Sequence, residues 1–159
     1  MTITPKVTCE DIRLALHGIF SGSGVDASGE DSYYFWDQRI HSGSILAQIN
    51  LANYSLTGIL GTSKMDDPDE VTFYHVRTAL LDLACMRVIT LLSGDVIVDG
   101  FNVTVGPTTI QQPSLLSTYR MLIQEFKEQA LMHIRHIQPI AVVGEFEQPD
   151  YRETAPSYY

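Results

Sequence analysis

A chain of 159 residues, 45% of them hydrophobic, is long enough for one core and too apolar to stay unfolded. Its formal net charge is −9, and its ten Lys and Arg residues are scattered, so it lacks the basic patch that grips nucleic-acid phosphates. No apolar run approaches the ~18–20 residues that span a bilayer. The opening MTITPKVTCEDIRL has neither a basic nor an apolar signal region, so the expected location is the cytoplasm or a particle assembled there.

Residues 1–7 read as a short arm. Thr8 and Asp11 have capping-box spacing, and Ile12, Ala15, Leu16 and Ile19 follow at helical intervals, which predicts a first helix ending near Gly18 to Gly22. Residues 21–32, SGSGVDASGEDS, have the composition of a loop. Tyr33, Tyr34, Phe35 and Trp36 follow in a row. Four consecutive rings cannot share one face of a regular element, so some are expected on the core and others against a partner. Ser42 is expected to cap a second helix over 43–60, with the stripe Ile45, Ile49, Ala52, Leu56 and Ile59 and a stop at Gly61.

Asp67-Pro68-Asp69-Glu70 is a strong helix start, with Asp67 as the expected cap and Pro68 at the first helical position. The third helix should run over 68–92, with Val71, Tyr74, Leu81, Ala84, Val88 and Leu91 along one side and Gly94 as its stop. Asp99-Gly100 lies between two β-branched runs, which predicts a β-hairpin at 95–106. A fourth helix over 114–137 carries Leu115, Tyr119, Leu122, Phe126, Ala130 and Ile137, and Pro139 ends it. Residues 140–159 have no helical period and read as an extended, acidic and aromatic arm. The expected fold is mainly α: a four-helix bundle domain over 1–139 with a β-hairpin between helices 3 and 4, then an extended C-terminal tail.

Chemistry is sparse. Cys9 and Cys85 form no CxxC pair and read as buried free thiols. His133 and His136 share a helix face, but no third metal ligand is identifiable in the sequence, and a helix C-terminus itself favours histidine. SGSGVDASG lacks the lysine and the strand-to-helix setting of a phosphate loop. The acidic pairs Glu10-Asp11, Asp66-Asp67 and Asp69-Glu70 sit at helix starts, where the dipole explains them. The expectation is a protein without catalytic residues, cofactor or metal.

Three stretches carry a family resemblance: the start TCEDIRLAL, the Ile-rich second helix with Ile45, Ile49, Ala52 and Asn53, and Val96 to Val105 leading into the fourth helix. In pattern and order, over most of residues 8–137, they resemble the head–tail connector (adaptor) proteins of tailed viruses. The 21–36 segment and the tail are longer than that family's minimal pattern. The resemblance implies a structural virion protein of the neck, assembled in the host cytoplasm. It implies a homo-oligomeric ring, twelve-fold, between a portal protein and a stopper or tail-completion protein, with DNA passing through unread and no membrane contact. The contacts expected with partners are the hairpin tip (Asp99, Gly100, Phe101), the tail (Ile140, Val142, Val143, Phe146, Tyr151, Tyr158, Tyr159) and the aromatic run (Tyr33, Tyr34, Trp36). The alternative expectation is a small oligomeric helical adaptor or regulatory protein without catalytic activity.

Overall fold

The structure, a computed structural model, describes residues 7–36, 38–99 and 112–138, with 95–99 and 112–116 described by their backbone alone. Among these residues the protein is mainly helical with one small antiparallel sheet. Helix α1 (Cys9–Ala15) opens on the predicted capping box. The Thr8 backbone N–H donates to Asp11 Oδ2 at 2.9 Å, and the Asp11 N–H donates to Thr8 Oγ1 at 3.2 Å. Two otherwise orphaned donors are thereby satisfied.

A three-stranded meander follows: β1 (Phe20–Val25), β2 (Asp31–Phe35) and β3 (Gln38–His41), in spatial order β1-β2-β3. Here the expected loop is a hairpin. Asp26 builds its turn: Oδ1 accepts from the N–H groups of Ser28 and Glu30, each at 2.9 Å, and Gly29 takes φ +83°. An Asp that bonds the backbone two residues on, followed by a glycine at positive φ, is a turn with a clear mechanism. Phe20 pairs with Phe35 across the strands, their rings edge-on at 5.8 Å. Trp36 leaves the sheet at φ +48° and sets its ring edge-on to Tyr119 at 4.9 Å, tying the meander to the last helix.

Helix α2 (Ser42–Leu60) buries Ile45, Ile49, Ala52 and Leu56 as the stripe predicts; Ile59 is half-buried and Leu60 is buried in its stead. Its cap position is His41, which makes no side-chain cap bond, and Ser42 is already helical. A single turn, α3 (Thr62–Met65), leads to α4 (Glu70–Asp99). The cap of α4 is Asp69, not Asp67: Asp69 Oδ2 accepts from the Thr72 N–H at 3.0 Å, and Asp67 Oδ1 accepts from the Asp69 N–H at 3.0 Å. Helix α5 (Gln112–Ile137) closes the described fold.

Helix α4 is the centre. It packs along α5 on one side and against α2 on another. Val76, Ala79, Leu80, Ala84, Val88, Ile89 and Leu92 are essentially inaccessible. Each larger aliphatic side chain among them contributes about 1.5–3 kcal/mol on burial, and this helix supplies more of the buried core than any other described element. Val71 and Tyr74 depart from their expected place in its stripe, being 64% and 59% exposed. They lie two heptads before the buried Cys85 and Val88 on the same faces; at the first turn the cover is partial, with the Tyr74 ring edge-on to His133 of α5.

The expected hairpin at 95–106 is corrected in its first half. Residues 95–99 form the last turns of α4, which passes through Gly94 and ends at Asp99, so Asp99 is not in a strand-to-strand turn. Adding a residue to an established helix is far cheaper than starting new structure, and this outweighs the modest β preference of Val96, Ile97 and Val98. Gly100, Phe101 and the rest of the second strand lie outside the described residues, as do Ile140, Val142, Val143, Phe146, Tyr151, Tyr158 and Tyr159 of the tail.

Candidate interaction surface

Positions 46, 50 and 54 follow one another at four-residue steps on the side of α2 away from its buried stripe. Leu46 is 47% exposed and Tyr54 73%, with Leu51 beside them at 45%. On α5, Met121 and Met132 lie eleven residues apart on the outward face, with exposed Glu125 and Glu128 between them. Both helices pack against α4 and present these side chains to solvent. A third exposed apolar group, Val71 and Tyr74, marks the end of the bundle where α4 begins and α5 ends.

The aromatic run divides between sides of the sheet. Phe35 is fully buried, Tyr33 is half-buried against the core, and Trp36 is half-buried on Tyr119. Tyr34 is half-buried and pairs with Gly22 and Arg39 in the sheet register. Of the thirteen residues expected to meet partners, the described side chains are Tyr33, Tyr34 and Trp36, and they share one strand and its exit.

Three arginines are paired with carboxylates. Arg13 pairs with Glu10, Arg39 with Asp26 at 3.0 Å, and Arg77 with Asp11 at 3.2 Å. These guanidiniums already have carboxylate partners, which leaves them poor phosphate ligands. A groove of 420 Å³ between α1 and the β1–β2 hairpin is lined by Arg13, Phe20, Val25 and Tyr33 among others. Its charged lining is the Glu10–Arg13 ion pair and the exposed Asp31.

Two histidine constellations carry the most chemistry. At the β1–β2 turn, ligand atoms of Asp26, Glu30 and His41 lie within 4.8 Å of one another. The Arg39 guanidinium pairs with one member of this set, 3.0 Å from Asp26 Oδ2, and donates through Nε to Ser32 Oγ at 3.0 Å. Hydrogen bonds from the Ser28 hydroxyl and the backbone of Glu30 hold the Asp26 carboxyl below its ordinary pKa. The set contains Ser, His and Asp but not the geometry of a catalytic triad. Ser32 Oγ at 3.2 Å and Asp26 Oδ2 at 3.7 Å both approach the same imidazole nitrogen, Nδ1 of His41. A triad needs the two on opposite nitrogens, so that the ring can take a proton from one side while oriented from the other.

The second constellation joins α4 to α5. His75 Nδ1 and His133 Nδ1 are 2.9 Å apart, and the His136 ring stacks on His75 at 4.7 Å with planes 12° apart. Tyr74 sets its ring edge-on to both His75 and His133. Burial, and then the neighbouring imidazoles, lower the pKa of His75 and His133, favouring their neutral forms. The sequence places His133 and His136 together but misses His75, which is 58 residues from His133; antiparallel packing of α4 on α5 brings it in.

The thiols are unsuited to nucleophilic work: burial pushes up the pKa of both Cys9 and Cys85. No described helix is long and apolar enough to cross a membrane. No protein-family model, curated protein or solved structure matches the chain.

Proposed function

We propose that this protein is a structural, non-catalytic component of a virion: a head–tail connector that assembles as a ring, twelve-fold, between a portal protein and a stopper or tail-completion protein. In this reading α1, α2, α4 and α5 are the bundle. The tail from Ile140 to Tyr159 reaches a neighbouring subunit or the portal, and genome DNA crosses the ring without being read.

One observation carries the reading: exposed apolar side chains stand on two different helices, α2 and α5, each packed against α4. A ring built head-to-tail needs two unlike patches on each subunit, so that one copy's first patch meets the next copy's second. Leu46, Leu51 and Tyr54 supply one patch, and Met121 and Met132 supply the other. Tyr and Met are over-represented at such contacts. The net charge of −9 suits a channel through which DNA must slide without adhering.

The test is assembly. Wild-type protein, alone and mixed with a portal ring, is examined by light scattering and negative-stain microscopy beside Leu46→Glu/Tyr54→Glu and Met121→Lys/Met132→Lys. Rings or portal decoration by the wild type, lost in both variants while their circular dichroism stays native, is the expected result. A wild type that forms only a two-fold dimer, or variants that assemble normally, would sink the proposal.

A further inference from the structure

We propose that His75, His133 and His136 bind a divalent transition-metal ion of the zinc, nickel or copper class. Nothing in the connector reading calls for this site, and it stands on the side chains alone. Three imidazoles from two helices meet at one end of the α4–α5 pair. Nδ1 of His75 and Nδ1 of His133 are 2.9 Å apart. Two nitrogens bound to one tetrahedral zinc at 2.0–2.1 Å sit about 3.3 Å from each other. Replacing the shared proton with an ion asks the two rings to separate by a few tenths of an ångström and to tilt so that both nitrogens face the ion.

His136 completes the set. It is one helical turn from His133 and exposed, and its ring lies flat against that of His75. From this stacked position its ring nitrogens do not yet converge with the other two, so ligation asks it to turn about its side-chain torsions. The fourth position is left to water, because the cluster opens to solvent beside Met132 and Arg135.

The donor set fixes the class of ion. Imidazoles suit zinc, copper and nickel, whereas calcium and magnesium require oxygen ligands, and no carboxylate contacts the three rings among the described hydrogen bonds and ion pairs. The Asp26–Glu30–His41 set makes the contrast: it has hard oxygen donors, and its Asp26 is already paired with the Arg39 guanidinium. An ion at the histidines would join the first turns of α4 to the last turn of α5, immediately before the chain continues into residues 139–159.

The experiment titrates the full chain, free of any affinity tag, with zinc chloride by calorimetry at neutral pH, and with cobalt(II) for its visible spectrum. One ion per chain is expected, with a higher thermal midpoint in the presence of zinc. His75→Ala and His136→Ala should each weaken binding by at least about tenfold, since even partners behind the ligands cost that much. Both positions are partly or fully exposed, so these variants keep the fold; matching circular dichroism without metal checks it. No binding, or stoichiometric binding unchanged in both variants, overturns the assignment.

Discussion

Asp82 is the buried charge that the fold leaves most exposed to a test. It lies on α4, only 6% accessible, seven residues after His75 and so on the same side of the helix. Its Oδ2 has no hydrogen-bond partner among the described residues. Burial alone pushes its pKa from the ordinary 3.8 to about 7. The sign follows from linkage. A carboxyl raised in the folded state contributes stability that is fully present below pH ~4 and is lost as pH rises to about 7. A tenfold change in an ionisation constant is worth about 1.4 kcal/mol, so the full rise corresponds to roughly 4 kcal/mol, reduced to about 2 kcal/mol by residual solvent screening. Urea unfolding of wild type and Asp82→Asn at half-unit steps from pH 4.5 to 8.5 reads this directly. The variant should gain on the wild type steadily up to about pH 7 and hold a constant lead above it. A difference that is the same at both ends of the range refutes the reasoning, because the carboxyl would then be ionised in both folded and unfolded chains.

Replacing Gly94 by Ala should stabilise the protein by about 0.5–1 kcal/mol in the same assay, because Gly94 is inside α4 and nothing lies within 4 Å of an added Cβ; a loss of stability would mean that the helix stops there. Thr8→Ala removes the side-chain half of the α1 capping box and should cost about 1 kcal/mol, read by chemical denaturation. Leu56→Ala, at a fully buried position facing α4, should cost about 2–5 kcal/mol. Tyr54→Ala, two residues away on the open face, should stay within about 0.5 kcal/mol of wild type; equal losses from the two would contradict the assignment of faces on α2.

What could be read from the sequence was whatever depends on local spacing. The stripe Ile45, Ile49, Ala52 and Leu56 follows the helical period and is buried as expected, and the Thr8–Asp11 box forms as its spacing dictates. The meander was illegible because its first strand, FSGSGV, is made mostly of residues with low β preference. Its turn was readable in principle: Asp26, Ser28 and Gly29 are the residues of a side-chain-closed turn. What holds β1 in place is non-local, namely its register against Tyr33 and Tyr34 and the Phe20–Phe35 ring contact. The His75–His133 contact is likewise a consequence of packing. It becomes foreseeable once α4 and α5 are taken as antiparallel neighbours, since the start of one then lies beside the end of the other.

The helical course of residues 95–99 moves the contact patches of the proposed connector onto helices. With strands at 95–99, Asp99 would have led a projecting tip, and one patch would have come from a small β unit braced by a neighbour. With α4 continuing to Asp99, those residues extend the central helix instead. The observed hairpin sits between α1 and α2, anchored inward by Phe35 and, through Trp36, by Tyr119. An element so tied to the core is a support, and its rings have little apolar area left to offer. Among the described residues, the exposed apolar side chains of α2 and α5 are the ones to which the proposed contacts are assigned. Helix faces fixed on one core hold a constant angle between the two contacts, and a closed ring needs that angle to be the same in every subunit.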